Sequence, residues 1–154
     1  MRIGFGEDAH ALGEGRDLFL ANVLIEHSDR GALAHSDGDV VLHALCDALL
    51  SAYALPDIGH YFPPSDPQYK DMDSAEILRG VLEILFRHYP EASIVNISLV
   101  VTLDKPKLGS LRDDIRRNLA ELLAIDVSQV GLSFKTSEGL ALDHVQARAT
   151  VLLN

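Results

Sequence analysis

The spacing of hydrophobic residues predicts several β-strands of different lengths. Apolar and β-branched runs at 2–8, 94–103, 130–136 and 145–153 are typical of strands. Two shorter apolar runs at 18–20 and 23–25 are separated only by Ala21-Asn22. A two-residue connection of this kind predicts a tight hairpin.

Between these strands, hydrophobic residues recur at three and four positions and predict three helices. The first begins near Ser36, which we expect to be its N-cap, with Asp39 in its first turn. The second opens with Asp73 and Glu76 at capping-box spacing, and the third covers 111–123.

The order of these elements predicts an α/β (α+β) fold, with a mixed four-stranded sheet and helices on one face. We find no internal repeat and no linker rich in Gly, Ser or Pro, so we expect one domain over residues 1–154. A sheet that helices cover on one side leaves the other side available to a partner, which favours an oligomer.

Composition then narrows the classes of function. The net charge is −10, from 23 acidic and 13 basic side chains, which argues against nucleic acid and anionic membranes as partners. No run reaches the roughly 20 apolar residues that a membrane helix needs. The single cysteine excludes an intrachain disulfide, and we expect a cytoplasmic protein.

Candidate metal ligands stand in two segments. Asp8 and His10 are two residues apart and share one side of an extended strand, while His43 is predicted on the first helix. Two imidazoles and one carboxylate with an open position are typical of catalytic zinc, and Asp39 or Asp47 could orient a histidine. Spacing alone leaves open whether His43 approaches His10, and a chance Asp-x-His pair remains the alternative.

Further polar segments allow two interpretations each. His35-Ser36 precedes a helix whose N-terminus could bind a phosphate, or it is an ordinary capped start. The run from Lys135 to Gly139 offers hydroxyls for phosphoryl oxygens and a carboxylate for a hard cation, or it is a polar turn. The run from Asp104 to Leu108 is either a charged turn or a cationic lip for a nucleotide.

Several motifs together resemble the family of 2-C-methyl-D-erythritol 2,4-cyclodiphosphate synthases. They are Gly6-Glu7-Asp8-Ala9-His10, the stretch from Ala34 to Ala44 with its H-S-D-G-D-x-x-x-H pattern, Asp57-Ile58-Gly59, Phe62-Pro63, Pro106-Lys107-Leu108 and Lys135-Thr136-Ser137-Glu138. They run in the family's order over nearly the whole chain.

This resemblance implies roles for individual residues. Asp8, His10 and His43 are expected to bind zinc, and Glu138 to bind magnesium or manganese. His35 and Thr136 are expected to align the diphosphate and support its transition state. The expected substrate contacts are Ser36, Asp57, Gly59, Phe62, Asp66, Leu103, Lys105, Pro106, Lys107, Leu108, Lys135 and Ser137.

The resemblance also implies an activity and an assembly. The family converts 4-diphosphocytidyl-2-C-methyl-D-erythritol 2-phosphate to the 2,4-cyclodiphosphate and releases CMP, in the non-mevalonate route to isoprenoid precursors. It is a phosphorus–oxygen lyase and a homotrimer whose active sites lie between subunits. The alternatives are a zinc-dependent phosphohydrolase and a non-catalytic trimeric metal-binding scaffold.

Two departures from the family pattern concern the substrate site. Pro64 stands where relatives commonly have an acidic residue after the Phe-Pro step. The segment from Gly139 to His144 is about four residues shorter than in many relatives and lacks an arginine. Neither departure affects the expected metal ligands.

Overall fold

The computed structural model describes residues 1–69 and 71–154. The strands are β1 (Arg2–Glu14), β2 (Phe19–Leu20), β3 (Val23–Leu24), β4 (Arg30–Ala32), β5 (Ile94–Leu103), β6 (Val130–Lys135) and β7 (His144–Leu153). The helices are α1 (Val40–Ser51), α2 (Ile58–Tyr61), α3 (Ser74–His88) and α4 (Arg112–Leu123). Short 3-10 turns precede α3, α4 and β6.

The main sheet is mixed, as predicted, but it has five strands instead of four. Its order is β4-β1-β7-β5-β6; β5 and β6 run parallel, and the other neighbouring strands in this order run antiparallel. The additional strand, Arg30–Ala32, pairs with the end of β1, where Leu12 lies opposite Ala32. Three residues that include Gly31 are too short and too small to show an alternating apolar pattern, so the sequence did not indicate this strand.

The hairpin predicted at Ala21-Asn22 is confirmed, and it forms a separate two-stranded sheet of β2 and β3. Both turn residues have positive φ, 54° at Ala21 and 61° at Asn22. Positive φ at both central residues defines the type I′ turn, whose twist matches that of the paired strands.

Two glycines allow α1 to lie directly on β1. A Cβ atom at Gly4 would stand 1.8 Å from the carbonyl oxygen of Ala48, and one at Gly6 would stand 2.3 Å from that of Ala44. Since Gly6 comes two residues before Asp8, and Ala44 directly follows His43, the same close approach brings the two predicted ligand segments together.

The start of α1 differs from the prediction. Asp39, not Ser36, is the N-cap, and its side chain accepts hydrogen bonds from the backbone N–H groups of Val41 and Leu42 at 3.1 Å. Asp39 also accepts from the backbone of Ala21 and Asn22, so it joins the β2–β3 turn to α1. Ser36 lies four residues before the helix, in the preceding loop.

Burial alternates along the central strands. In β7 the odd-numbered residues from Val145 to Leu153 are buried, and their neighbours are not. The buried face packs under α1, while the opposite face exposes Ile3 and Phe5, at 73% and 53% of their surface. Among the described residues, no helix has the length and apolar character needed to cross a membrane.

Candidate metal centre and adjoining cavity

The structure brings Asp8, His10 and His43 together. Oδ2 of Asp8 lies 3.0 Å from Nδ1 of His43 and 3.1 Å from Nε2 of His10. β1 supplies Asp8 and His10 on the face that meets α1, and α1 supplies His43. The question that spacing left open is therefore answered: the two segments meet, and one ligand atom from each of the three residues lies within 4.8 Å of the other two.

The electrostatics of this triad suit a cation. Burial would raise the pKa of Asp8, but His10 and His43 outweigh it and hold the pKa well below its usual range. Burial would lower the pKa of His43, but the Asp8 carboxylate raises it above its ordinary value. Nε2 of His10 is buried and has no hydrogen-bond partner among the described residues, because its approach to Asp8 is poorly aligned. A divalent ion would satisfy this orphaned nitrogen and the carboxylate together.

The group that orients His43 is not the one expected. Asp39 caps α1, and Asp47 accepts from the backbone N–H of Ile58 at 2.9 Å; among the described residues neither carboxylate is hydrogen-bonded to the His43 ring. Burial raises the pKa of Asp39 to about 6, and hydrogen bonds from the backbone N–H groups of Asn22, Leu42 and Ala21 partly offset that rise. Instead, Nε2 of His43 lies 2.9 Å from Oγ of Ser74 at the start of α3, and Ser74 contacts Asp37.

A cavity of about 330 Å³ opens beside the triad. Its wall contains His10 and His43 and several other residues predicted for the site: His35, Ser36, Gly59 and Phe62. Pro64, one of the departures from the family pattern, also lines it, as do Ile58 and Tyr69. The cavity is thus mostly apolar, with imidazole and hydroxyl groups in its wall, a composition that suits a small polyol with a charged substituent.

Two predicted residues near the cavity make local contacts instead of lining it. Asp57 is the exposed N-cap of α2 and accepts from the backbone N–H of His60 at 3.1 Å. Asp66 accepts from both the backbone and the side chain of Gln68 within one turn. The phosphate site expected at the N-terminus of α1 is also altered, because Asp39 already accepts from its N–H groups.

The remaining predicted residues form a second group at the ends of β5 and β6. Asp104 organises it by accepting from the backbone N–H and the hydroxyl of Ser137 and from the backbone N–H of Gly139. Those hydrogen bonds hold the pKa of Asp104 below its usual range. Thr136 donates to Oε1 of Glu138 at 3.0 Å, and Glu138 is exposed with φ of 57°.

The other members of this group differ in exposure. Lys105, Lys107 and Lys135 are exposed, and the Lys105-Pro106 peptide bond is cis. Leu103 and Leu108 are buried in the core, so their side chains support the loop from beneath. The group therefore presents cations, hydroxyls and the Glu138 carboxylate on two loops that Asp104 joins by hydrogen bonds.

Within one chain the two groups are separated across the sheet. His10 lies opposite Val145 of β7, which lies opposite Leu103 of β5, and β6 is one strand further. With neighbouring strands roughly 4.8 Å apart, the metal triad and the end of β6 are separated by about 14 Å. None of the residues from Leu103 to Leu108 or from Lys135 to Glu138 lines the cavity beside the triad.

These features define a mixed α/β protein with a candidate catalytic metal centre beside a polyol-sized cavity. The sequence matches the YgbB family over residues 1–154, and the chain belongs to that family.

Two similar relatives and one similar solved structure carry the same name. The chain is 59% identical over 153 residues to the 2-C-methyl-D-erythritol 2,4-cyclodiphosphate synthase of Deinococcus radiodurans, covering 99% of this chain and 93% of the relative. It is 54% identical over 154 residues to the synthase of Thermus thermophilus, covering 100% of this chain and 99% of the relative. A solved synthase structure in a CDP-bound form superposes with a TM-score of 0.92 at 52% identity, covering 99% of this chain and 100% of that one.

Proposed function

We propose that this chain converts 4-diphosphocytidyl-2-C-methyl-D-erythritol 2-phosphate to 2-C-methyl-D-erythritol 2,4-cyclodiphosphate and releases CMP. The observation that carries the proposal is the convergence of Asp8, His10 and His43, of which the two histidines line a cavity, in a chain that matches this family over residues 1–154. The reaction belongs to the synthesis of isoprenoid precursors, and the enzyme is a phosphorus–oxygen lyase.

The reaction needs no nucleophile from the protein. An oxygen of the substrate's own 2-phosphate attacks the β-phosphorus of the cytidine diphosphate and forms a new P–O bond. The bond from that phosphorus to the bridging oxygen breaks, and CMP leaves with the electron pair. Catalysis therefore depends on holding the substrate in a ring-closing shape and on stabilising phosphate charge.

The residues present fit a zinc ion held by Asp8, His10 and His43. Zinc takes nitrogen and carboxylate ligands and keeps an open position when three protein ligands are present. When bound, it supplies Lewis-acid polarisation of a phosphate oxygen and a fixed point for aligning the substrate. A second cation, magnesium or manganese, suits the exposed carboxylate of Glu138. These cations would also offset the net charge of −10 where the anionic substrate binds.

The protein's own groups then bind and orient the substrate. The apolar wall with Gly59 and Phe62 accommodates the methylerythritol carbons and excludes water. Asp57, the exposed N-cap of α2 next to Ile58 in that wall, is the group we propose to accept from a substrate hydroxyl. His35 and Ser36, which line the same cavity as His10 and His43, can donate to phosphate oxygens. A hydroxyl such as that of Thr136 can donate to the diphosphate once it is brought within reach.

We propose a homotrimer in which neighbouring subunits complete each site. Across one chain, the metal triad is about 10 Å from the end of β5 and about 14 Å from the end of β6, too far for one phosphate to contact both. A partner subunit would bring its own Thr136 and Glu138 to the triad. The open face of the sheet offers an apolar surface for this contact, because it exposes Ile3 and Phe5. The same face carries an ion pair between Glu7 and Arg148, at 3.2 Å.

The site also requires that residues 1–154 act as one catalytic domain. A single hydrophobic cluster supports this proposal, because it joins residues from Leu12 near one end to Leu153 near the other. Cytidine recognition falls to the loop with Lys105, Pro106 and Lys107 and to Lys135, whose cations suit a diphosphate.

The experiment that tests the activity is phosphorus NMR of the substrate with zinc- and magnesium-loaded protein. Equal yields of the cyclic diphosphate and CMP from wild type, with loss of both in His43→Ala, support the proposal. Linear phosphate products would show a zinc-dependent phosphohydrolase instead. No turnover by a zinc-loaded wild type would show a metal-binding scaffold.

A further inference from the structure

We infer that Ser74 and Asp37 form a positioning pair for the metal centre, which fixes the ring of His43 and directs its Nδ1 lone pair toward the metal. The inference rests on the zinc site proposed above. Neither residue stood among the candidate site residues from sequence. Ser74 is 31 positions from His43 and begins a different helix.

The contacts form one continuous chain. Oγ of Ser74 lies 2.9 Å from Nε2 of His43, and both residues are buried. The Ser74 hydroxyl contacts Oδ1 of Asp37, and the Ser74 backbone N–H donates to Oδ2 of Asp37 at 3.0 Å. Asp37 is held in turn by the backbone N–H of Asp39, at 3.2 Å.

The direction of these hydrogen bonds follows from the chemistry of their members. A carboxylate only accepts, so the Ser74 hydroxyl must donate its one proton to Asp37. The Ser74 oxygen is then an acceptor toward His43, and Nε2 must carry the ring proton. In the neutral ring, this leaves Nδ1, the nitrogen 3.0 Å from Asp8, with a free lone pair.

A lone pair that faces a carboxylate oxygen at this distance is repulsive unless a metal ion or a ring proton lies between them. The Ser74–Asp37 pair therefore favours the metal-bound state of His43 over a metal-free state with a neutral ring. Partners of this kind fix the tautomer and orientation of ligating histidines, and their loss typically lowers metal affinity about 10–100-fold.

The pair also connects the metal to the cavity wall. Ser74 is the first residue of α3, which follows the segment that contributes Phe62, Pro64 and Tyr69 to the cavity. A rotation of the His43 ring would break the Ser74 contact, so this helix start holds the ligand in place while the polyol binds beside it.

The test is zinc affinity, measured by competition with a chelator, for wild type, Ser74→Ala and Asp37→Asn. We expect both variants to bind zinc about 10–100-fold more weakly. Asp37→Asn matters because the amide can donate to Ser74, which reverses the chain and turns the Ser74 hydroxyl toward Nε2. That reversal would place the ring proton on Nδ1 without removing a ligand.

Two controls separate positioning from general effects. Asp73→Asn removes the same charge one residue from Ser74 but keeps the N-cap of α3, which asparagine serves as well as aspartate. Ser51→Ala removes another hydroxyl that bonds across the α1–β1 contact, at the far end of α1. We expect both controls to bind zinc within about twofold of wild type.

A second readout is independent of affinity. In zinc-loaded, ¹⁵N-labelled wild type, the Nε2–H proton of His43 should be observable and slow to exchange with water, and in Ser74→Ala it should exchange faster. Wild-type zinc affinity in Asp37→Asn, or an unchanged Nε2–H signal in Ser74→Ala, would overturn the inference. If wild type itself bound no zinc, the proposed metal site would fail and this inference with it. If Ser74→Ala did not fold, the zinc affinity of Asp37→Asn compared with that of Asp73→Asn would decide between the two outcomes.

Discussion

The contact between β1 and α1 gives the sharpest prediction for a single methyl group. In Gly6→Ala the new Cβ would stand 2.3 Å from the carbonyl oxygen of Ala44 and 2.6 Å from the backbone nitrogen of Ala48. Both are backbone atoms of α1, so no side chain can rotate away. To reach an ordinary contact, the helix must move from the strand by about 1 Å.

The magnitude follows from that displacement. Overpacking of a rigid contact costs about 1–3 kcal/mol of unfolding free energy. For a chain of this length that corresponds to a melting temperature about 2–12 °C lower. His43 moves with α1 while Asp8 and His10 stay on β1, and metal sites tolerate only about 0.2 Å of change in ligand distance. We therefore expect zinc affinity to fall at least about tenfold.

The assay combines thermal unfolding of the metal-free protein with zinc titration against a chelator. Gly109→Ala is the matched control, because a Cβ there meets nothing within 4 Å, and its melting temperature should stay within about 2 °C of wild type. Wild-type stability and zinc affinity in Gly6→Ala would refute the claim that this glycine permits the approach that assembles the site.

Three further predictions concern other parts of the chain. Ala124 ends α4 with φ of 53° and is exposed, so Ala124→Gly should raise stability by about 0.5–1 kcal/mol, seen in urea unfolding. Because the pKa of Asp104 is lowered in the folded state, its ionised carboxylate stabilises the fold above the unfolded pKa near 4, and that stability is lost as pH falls through the folded pKa. The difference in unfolding free energy between wild type and Asp104→Asn should therefore shrink as the pH is lowered from about 6 to 3. Phe5→Glu places a charge on the open sheet face, and sedimentation should show monomers, whereas an intact trimer would exclude this face from the interface.

The sequence predicted elements well where local pattern and tertiary structure agree. The bounds of β5, 94–103, are those expected, because proline-bounded β-branched residues are favoured in a strand wherever it lies. Asp73 caps α3 as expected, and the Ala21-Asn22 turn has the predicted two residues. In each case the signal and its structural consequence lie within a few positions.

The sequence-based prediction failed where a residue distant in the sequence determines the local structure. Ser36 and Asp39 both suit an N-cap, and Asp39 takes the role because it also binds the backbone of Ala21 and Asn22. β4 is a strand only because the end of β1 pairs with it. The contact of Ser74 with His43 joins two residues that are 31 positions apart on different helices, and no local sequence pattern around either residue predicts it.

The family motifs bridged part of this gap. They indicated Asp8, His10 and His43 as one metal site, which the geometry of β1 and α1 accommodates. Motifs record ligands and substrate contacts, however, and the hydrogen bonds that hold those ligands follow only from the fold.

The central claim, that each active site is built from two subunits, has a direct test by complementation. His43→Ala removes the metal half of the site and Thr136→Ala removes the other half, so each variant alone should be inactive. In trimers assembled from equal amounts of both, each subunit is of either kind half of the time, and about one site in four carries both halves intact. We predict that CMP release recovers to about a quarter of the wild-type rate on mixing by refolding or co-expression. Recovery no greater than the two variants show alone would contradict the shared site and place all of its residues in one chain.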